Sequence, residues 1–205
     1  MNAQLAAAPM TPSLSTLLRP TRPSDQLLRQ IVAQGIGQPL SYDHPGATLR
    51  EVVPDGFTHT AHDEVIGQGG AAWSAAVEAV RSWAMFRMPW LTMPAFPPPE
   101  VDQVVAFGSR QLGTWAVHSC RVVACIEEAD RVGFAYGTLA THAVAGEERF
   151  TVRRSPTGAV HFELWKFARP SHLLVRLAGP FMVHQQNRFD RGAAEAMRRA
   201  VAEAS

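Results

Sequence analysis

Between Val101 and Ala168 the chain alternates extended runs with turn chemistry so closely that it can build only one kind of sheet. Runs at 103–108, 114–126, 132–139, 147–154 and 159–168 read as strands, and Glu127 to Asp130 and Ser155-Pro156-Thr157-Gly158 read as turns. Parallel neighbours need crossovers of about a dozen residues or more, and none of these gaps is that long. An antiparallel meander follows, and one of its faces needs a cover.

The C-terminal segment supplies that cover. A helix begins near Gly179-Pro180, where proline is tolerated in the first turn, and runs towards Ala204. Its inner line is Met182, Gln186, Phe189, Ala193, Met197 and Ala200, at helical spacing. Several of these residues are small, which leaves room for a cavity between helix and sheet. Upstream, Ser24 reads as the N-cap of a short helix with Leu27, Leu28, Ile31 and Val32 on one side. Residues 56–65 read as extended, and the Gly67-Gln68-Gly69-Gly70 turn leads into a helix with Trp73, Ala76, Val77, Val80, Trp83 and Ala84 on one face. Residues 88–100 hold five prolines and read as a stiff loop, with its use as a lid left open. The expected class is α+β: residues 1–23 form a flexible N-terminal arm, and residues 24–205 form a single helix-grip-like domain in which a curved antiparallel sheet wraps the long C-terminal helix.

Composition narrows the function classes. At 205 residues, with 46% apolar and 18% charged residues, the chain can bury a substantial core. Its net charge is +1, Lys166 is its only lysine, and no basic run marks a nucleic-acid binder. No stretch approaches the roughly 18 apolar residues of a membrane span, and MNAQLAAAPM lacks the cationic start of a signal peptide, so a cytoplasmic location is expected. Cys120 and Cys125, five apart in one strand, point to opposite faces and read as small apolar packing in a reducing compartment. Gly67-x-Gly69-Gly70 lacks the lysine of a phosphate loop, His59 and His62 face opposite ways, and no Ser/His/Asp or Cys/His ligand set can be assembled. Neither a cofactor nor a metal is expected.

The richest region is GFAYGTLATHAVAGEERFTV, residues 133–152. Gly133, Ala135 and Gly137 leave one strand face bare for a closely packed backbone or a bend. Tyr136 and Thr138, on the other face, either project hydroxyls into a pocket or bond locally. His142 precedes the paired carboxylates of Gly146-Glu147-Glu148-Arg149, an order that suits a general base oriented by an acid, and equally a solvated hairpin end. In the next strand Val160, Phe162 and Leu164 share one face, while His161, Glu163, Trp165, Phe167 and Arg169 share the other. That second face fits a pocket wall or an outer face under a loop. Arg169 and Arg176 bracket the Pro170 bend, as an anion clamp or as caps of nearby carbonyls. His118 lies on an apolar face with Ala116, Cys120 and Val122, where burial would tune it.

With these residues in hand, the chain resembles a family of bacterial and plant proteins called domain of unknown function nineteen-ninety. The resemblance rests on YDHPGAT (42–48), IGQGGAAW (66–73), GFAYGTL, His142, GEERF (146–150), FARP (167–170) and the Gln186 region. ATHAVAGEE lacks the proline expected after the histidine, and Ala168 stands where serine is expected. The family carries no activity to transfer, so the resemblance implies a fold: the START and Bet v 1-like helix-grip proteins, whose members bind or cyclise sterols, lipids and polyketides. The expected function is the binding of a mainly apolar, polyketide-, terpenoid- or lipid-like molecule in an internal cavity, with cofactor-independent cyclisation, dehydration or related acid/base chemistry. Tyr136 and His142 would handle protons and Glu147 would orient or ionise. Arg169 and Arg176 would hold a carbonyl or carboxylate, Trp165, Phe167 and Phe189 would shape the cavity, and His118, Thr138 and Gln186 would contact the ligand. A non-catalytic carrier or sensor of the same ligand class, and an interaction module built on the proline-rich loop, stay open beside it, as does homodimerisation.

Overall fold

The structure is a computed structural model that describes residues 18–140, 142, 144–170 and 179–204, the side chains of residue 18 and of 179–182 excepted. Its frame is one antiparallel sheet, curled into a half-barrel, of β1 (Leu18–Arg19), β2 (Thr58–Gln68), β3 (Leu91–Thr92), β4 (Val104–Gln111), β5 (Thr114–Glu127), β6 (Arg131–Thr138), β7 (Val144–Arg154) and β8 (Ala159–Pro170). Strand order is β2-β8-β7-β6-β5-β4-β3, with β1 paired to the start of β5. The meander expected from 103 to 168 is therefore β4 to β8, and β2 adds to its far edge. Both expected turns close by short hydrogen bonds, Glu128 N to Arg131 O at 2.9 Å and Ser155 N to Ala159 O at 2.8 Å. Gly158 takes the left-handed φ of 83° that the second turn requires.

Three α-helices among the described residues complete the frame: α1 (Asp25–Gly35), α2 (Gly69–Arg81) and α3 (Gly179–Ala204). Ser24 caps α1 as expected, its hydroxyl accepting from Leu27 N at 3.2 Å. Leu28 then buries on Ala106 and Val117, so α1 covers the convex side of β4 and β5. Gly69, at φ 84°, breaks β2 into α2, whose small residues Ala72, Ala76 and Ala79 let the helix approach closely. With α3, α2 packs on the concave side against Phe134, Phe150, Phe162 and Leu164. The lean inner line expected of α3 holds over Ala193 and Met197, joined by buried Ala194, Ala196 and Val201. Met182 lies outside the described side chains.

Residues 88–100, the stiff proline-rich loop, are built into the frame. Met88 and Leu91 are buried in the main core, Leu91 and Thr92 pair with Ser109 and Gly108, and Trp83 Nε1 donates to Pro97 O at 2.9 Å. Apolar side chains on both sides of the prolines give this segment more to gain by burial than by standing over a mouth, so it forms a wall. The end of the expected arm is also held: Leu18 pairs with Ala116, and the Arg22 guanidinium reaches Thr92 Oγ1 at 3.0 Å.

The convex face of β6 to β8 lies under residues 36–57. Ser41 N donates to Thr138 O at 2.9 Å, and the phenol end of Tyr42 packs over Gly137. A Cβ on Gly137 would stand 2.2 Å from Tyr42 Oη, which explains the bare strand face. Gly137→Ala is expected to destabilise by about 1–3 kcal/mol, the usual cost of overpacking, and far less in a Tyr42→Ala background. Urea midpoints of the four proteins in that cycle measure it; an equal cost in both backgrounds would show that the ring is not the obstacle.

Candidate functional site

Strand β7 sends alternate side chains to opposite faces, so the adjacent carboxylates of Glu147 and Glu148 part company. Glu147 turns outward. It is 2% exposed and accepts from Tyr42 Oη at 2.6 Å, Gly46 N at 2.7 Å, Thr48 N at 2.9 Å and Thr48 Oγ1. Arg149, on the same face, donates to Thr48 O at 2.6 Å and to Glu51 Oε1 at 2.8 Å. Burial first, and the Glu147 charge second, hold the Tyr42 phenol far above its ordinary pKa. This carboxylate fastens the 42–51 segment to the sheet, and its hydrogen bonds among the described residues go to that segment rather than to His142.

Glu148 turns inward, into a half-open cavity of about 150 Å³ lined by the concave sheet, α3 and the 88–100 wall. Its Oε2 accepts from Tyr136 Oη at 2.8 Å. Its Oε1 lies 3.4 Å from Lys166 Nζ and otherwise accepts no hydrogen bond among the described residues. Lys166 is also ion-paired with Asp190 of α3 and lies 5.8 Å from the centre of the Phe189 ring. Burial raises the Glu148 carboxyl above the usual range; Lys166 opposes the shift and Asp190 adds to it. Burial, and then Glu148, raises the Tyr136 phenol as well.

A second polar cluster lines the same cavity. His142 Nδ1 accepts from Val144 N at 3.0 Å, His142 Nε2 meets His118 Nδ1 at 3.1 Å, and His118 Nε2 meets Ser109 Oγ at 2.8 Å. Gln111 Nε2 donates to the same Ser109 oxygen at 3.0 Å. The His118 ring also stacks on Phe107 with centroids 4.9 Å apart. Burial lowers both imidazoles: His118 well below its ordinary value, helped by the neighbouring His142, and His142 to about 4. Phe107, Phe189, Trp90 and Leu91 supply apolar wall between the clusters.

Of the expected site residues, Tyr136, His142, His118, Thr138, Gln186 and Phe189 meet around this cavity, and Glu147 and Phe167 border it while their carboxylate and ring contacts lie on the convex face. The Thr138 hydroxyl is already engaged, accepting from Gly146 N at 2.9 Å and lying 2.5 Å from Ser41 Oγ. Trp165 and Phe167 do not shape the cavity with their rings. Phe167 packs edge-on against Tyr42 and Phe57 at 5.5 and 5.1 Å, and Trp165 lies against His59 at 4.7 Å, all on the convex face. Arg169, one half of the expected anion clamp, is exposed, its guanidinium 4.6 Å over the Phe57 ring. Arg176 lies outside the described residues. Sequence reasoning missed Glu148, Lys166, Asp190, Ser109 and Gln111. The alternation Val160, Phe162, Leu164 continues to Lys166, and the 186–193–197 helical line passes through 190 as readily as 189; both signals were there to be read. Among the described residues, no group of three or more His, Cys, Asp or Glu side chains is arranged to hold a metal ion.

Comparison with known proteins accords with this geometry. The family model described as a domain of unknown function (DUF1990) matches residues 41–196. A UPF0548 protein of Deinococcus radiodurans is 34% identical over 184 residues, covering 84% of this chain and 91% of that protein. A UPF0548 protein of Arabidopsis thaliana is 27% identical, covering 72% and 75%. Among solved structures, a norcoclaurine synthase point mutant of Thalictrum, in complex with a transition-state analogue, superposes with TM-score 0.53 at 9% identity, covering 74% of this chain and 98% of that one. The Zhui aromatase/cyclase of Streptomyces sp. R1128 superposes with TM-score 0.50 at 13% identity, covering 71% and 94%. The fold is thus the helix-grip fold of START and Bet v 1-like proteins.

The lowered value of His142 has a thermodynamic consequence. Its folded-state value of about 4 lies below the 6.5 of a free imidazole, so the unfolded chain takes up the proton first as pH falls. The stability that this residue contributes is complete above pH 6.5 and is lost progressively towards pH 4. His142→Gln is expected to flatten the fall of the urea midpoint between those pH values; a variant that loses stability with pH as steeply as the wild type would contradict the assignment.

Proposed function

The chain belongs to the DUF1990 family, and from that premise we propose that it binds a small, mainly apolar carbonyl compound in the β4–β8 cavity and transfers a proton at the carbon next to the carbonyl. Such a transfer is the first step of the cyclisations and dehydrations that a carbonyl compound undergoes without a cofactor. Glu148 carries the reading. It is a buried carboxyl with a raised pKa, in an apolar cavity, and the polar neighbour of its Oε1 among the described residues is Lys166 Nζ at 3.4 Å. A carboxylate whose pKa burial has raised is a stronger base than an exposed one.

The roles follow from the contacts. Glu148 Oε1 takes the proton from carbon, and the electron pair of that C–H bond moves into the carbonyl to give an enolate. Tyr136 holds Oε2 and fixes the direction of Oε1. Lys166, anchored by Asp190, keeps the carboxylate from being neutralised permanently. The aromatic wall of Phe107, Phe189 and Trp90 excludes water and receives the apolar body. The volume matches that of an engineered apolar cavity that takes benzene, about 150 Å³, so the enclosed part of the ligand is one ring or a short branched chain. Norcoclaurine synthase and the Zhui aromatase/cyclase share this fold, which is support by architecture alone.

Exchange of the methyl protons of acetophenone for deuterium in heavy water, followed by proton NMR, tests the proposal. Wild-type protein should accelerate exchange, and Glu148→Gln should lose about two orders of magnitude of that rate while still binding the ketone. Ketone binding with no exchange, across a panel of enolisable carbonyl compounds, would replace this reading with that of a non-catalytic carrier.

A further inference from the structure

The His118–His142 pair leaves its protons only one arrangement. A backbone N–H can only donate, so the Val144 amide makes His142 Nδ1 an acceptor. A neutral His142 must then carry its proton on Nε2 and donate it to His118 Nδ1. His118 in turn carries its proton on Nε2 and donates to Ser109 Oγ. Ser109 Oγ already accepts from Gln111 Nε2, so both of its lone pairs are taken. Its own O–H proton has no acceptor assigned among the described residues, and the side chain, 3% exposed, lines the cavity. A hydroxyl that accepts two hydrogen bonds is polarised as a donor.

We infer that Ser109 is the residue that holds the ligand's carbonyl oxygen, with His118 and His142 as positioning residues that fix its hydroxyl as a donor into the cavity. This assignment rests on the reading given under Proposed function and adds the orientation of the ligand: oxygen towards β4, acidic carbon towards Glu148 on β7. The same hydroxyl would meet the negative charge that develops on that oxygen when Glu148 takes the proton. The site then selects carbonyl compounds over hydrocarbons of the same shape, because only the former satisfy the Ser109 proton. The lowered pKa of both imidazoles keeps the chain of donors intact at neutral pH. A doubly protonated His142 would oppose the Val144 N–H and break it.

Two measurements decide it. In long-range ¹H–¹⁵N spectra of the wild-type protein at pH 7.5, both His118 and His142 should show unprotonated Nδ1 and protonated Nε2; an Nδ1-protonated His118 overturns the assignment without any variant being made. Binding of acetophenone is then compared with that of α-methylstyrene, which replaces the carbonyl oxygen by CH₂. Wild type should prefer the ketone by about tenfold, the worth of one net hydrogen bond, and should lower the carbonyl stretching frequency of the ¹³C-labelled ketone. Ser109→Ala should abolish both effects while still binding the hydrocarbon. His142→Phe should do the same, because a released His118 can turn its proton to Nδ1 and draw the Ser109 proton to itself. Equal binding of the two probes by wild type, or a frequency shift that survives in Ser109→Ala, sinks the Ser109 role and leaves the cavity reading standing. Failure of both probes to bind removes the cavity reading itself, and the Ser109 role with it.

Discussion

The Glu147 carboxylate accepts four hydrogen bonds from Tyr42, Gly46 and Thr48, out of contact with water, and these bonds tie a non-regular segment to the convex face of β7. A buried carboxylate without such partners would be costly enough to unfold a domain of this size. Its satisfaction fixes more than the segment. Because side chains alternate along a strand, any slip by one residue would exchange Glu147 with Glu148 and place every neighbour on the wrong face. Outward anchoring of one carboxylate is thus what commits the other to the cavity, and Gly137 is bare so that Tyr42 can reach its partner.

On the concave side, the polar groups sit at two poles of an otherwise apolar chamber. One pole is ionic, with Lys166 between Asp190 and Glu148, and it joins α3 to β8 as well as facing the cavity. The other is neutral, a line of two imidazoles ending on Ser109. Neither pole is explained by stability alone, since apolar residues of similar volume would pack these positions at less desolvation cost. Burial raises the carboxyl at one pole and lowers the imidazoles at the other. At both poles burial therefore favours the neutral form of the group.

Much of the frame was legible because local chemistry decides it. Tight turns after residues 127 and 155 exclude crossovers and so force antiparallel neighbours, and Ser24 and Gly69 start their helices by backbone preferences that act over a few residues. The site was legible only in part. Tyr136, His142, His118 and Phe189 were found because aromatic and ionisable types on an apolar strand face are few. The face of Trp165, Phe167 and Arg169 stayed open between a pocket wall and an outer face under a loop because β8 is buried on both faces: helices cover one side and residues 36–57 the other. A strand with two covers reads as apolar throughout, and alternation then separates its faces without saying which is the cavity.

What the sequence determined by itself is the element order, the antiparallel pairing and the leanness of α3, since these depend on periodicity, turn residues and side-chain size within short windows. Only the tertiary structure decided which of two adjacent carboxylates is structural, that the sole lysine lies between two acids from different elements, and that two histidines 24 residues apart share a proton line to Ser109. Those outcomes depend on which face of the curled sheet meets α3 and which meets residues 36–57. That choice is made by long-range packing of apolar side chains, and no short window of the chain contains both partners.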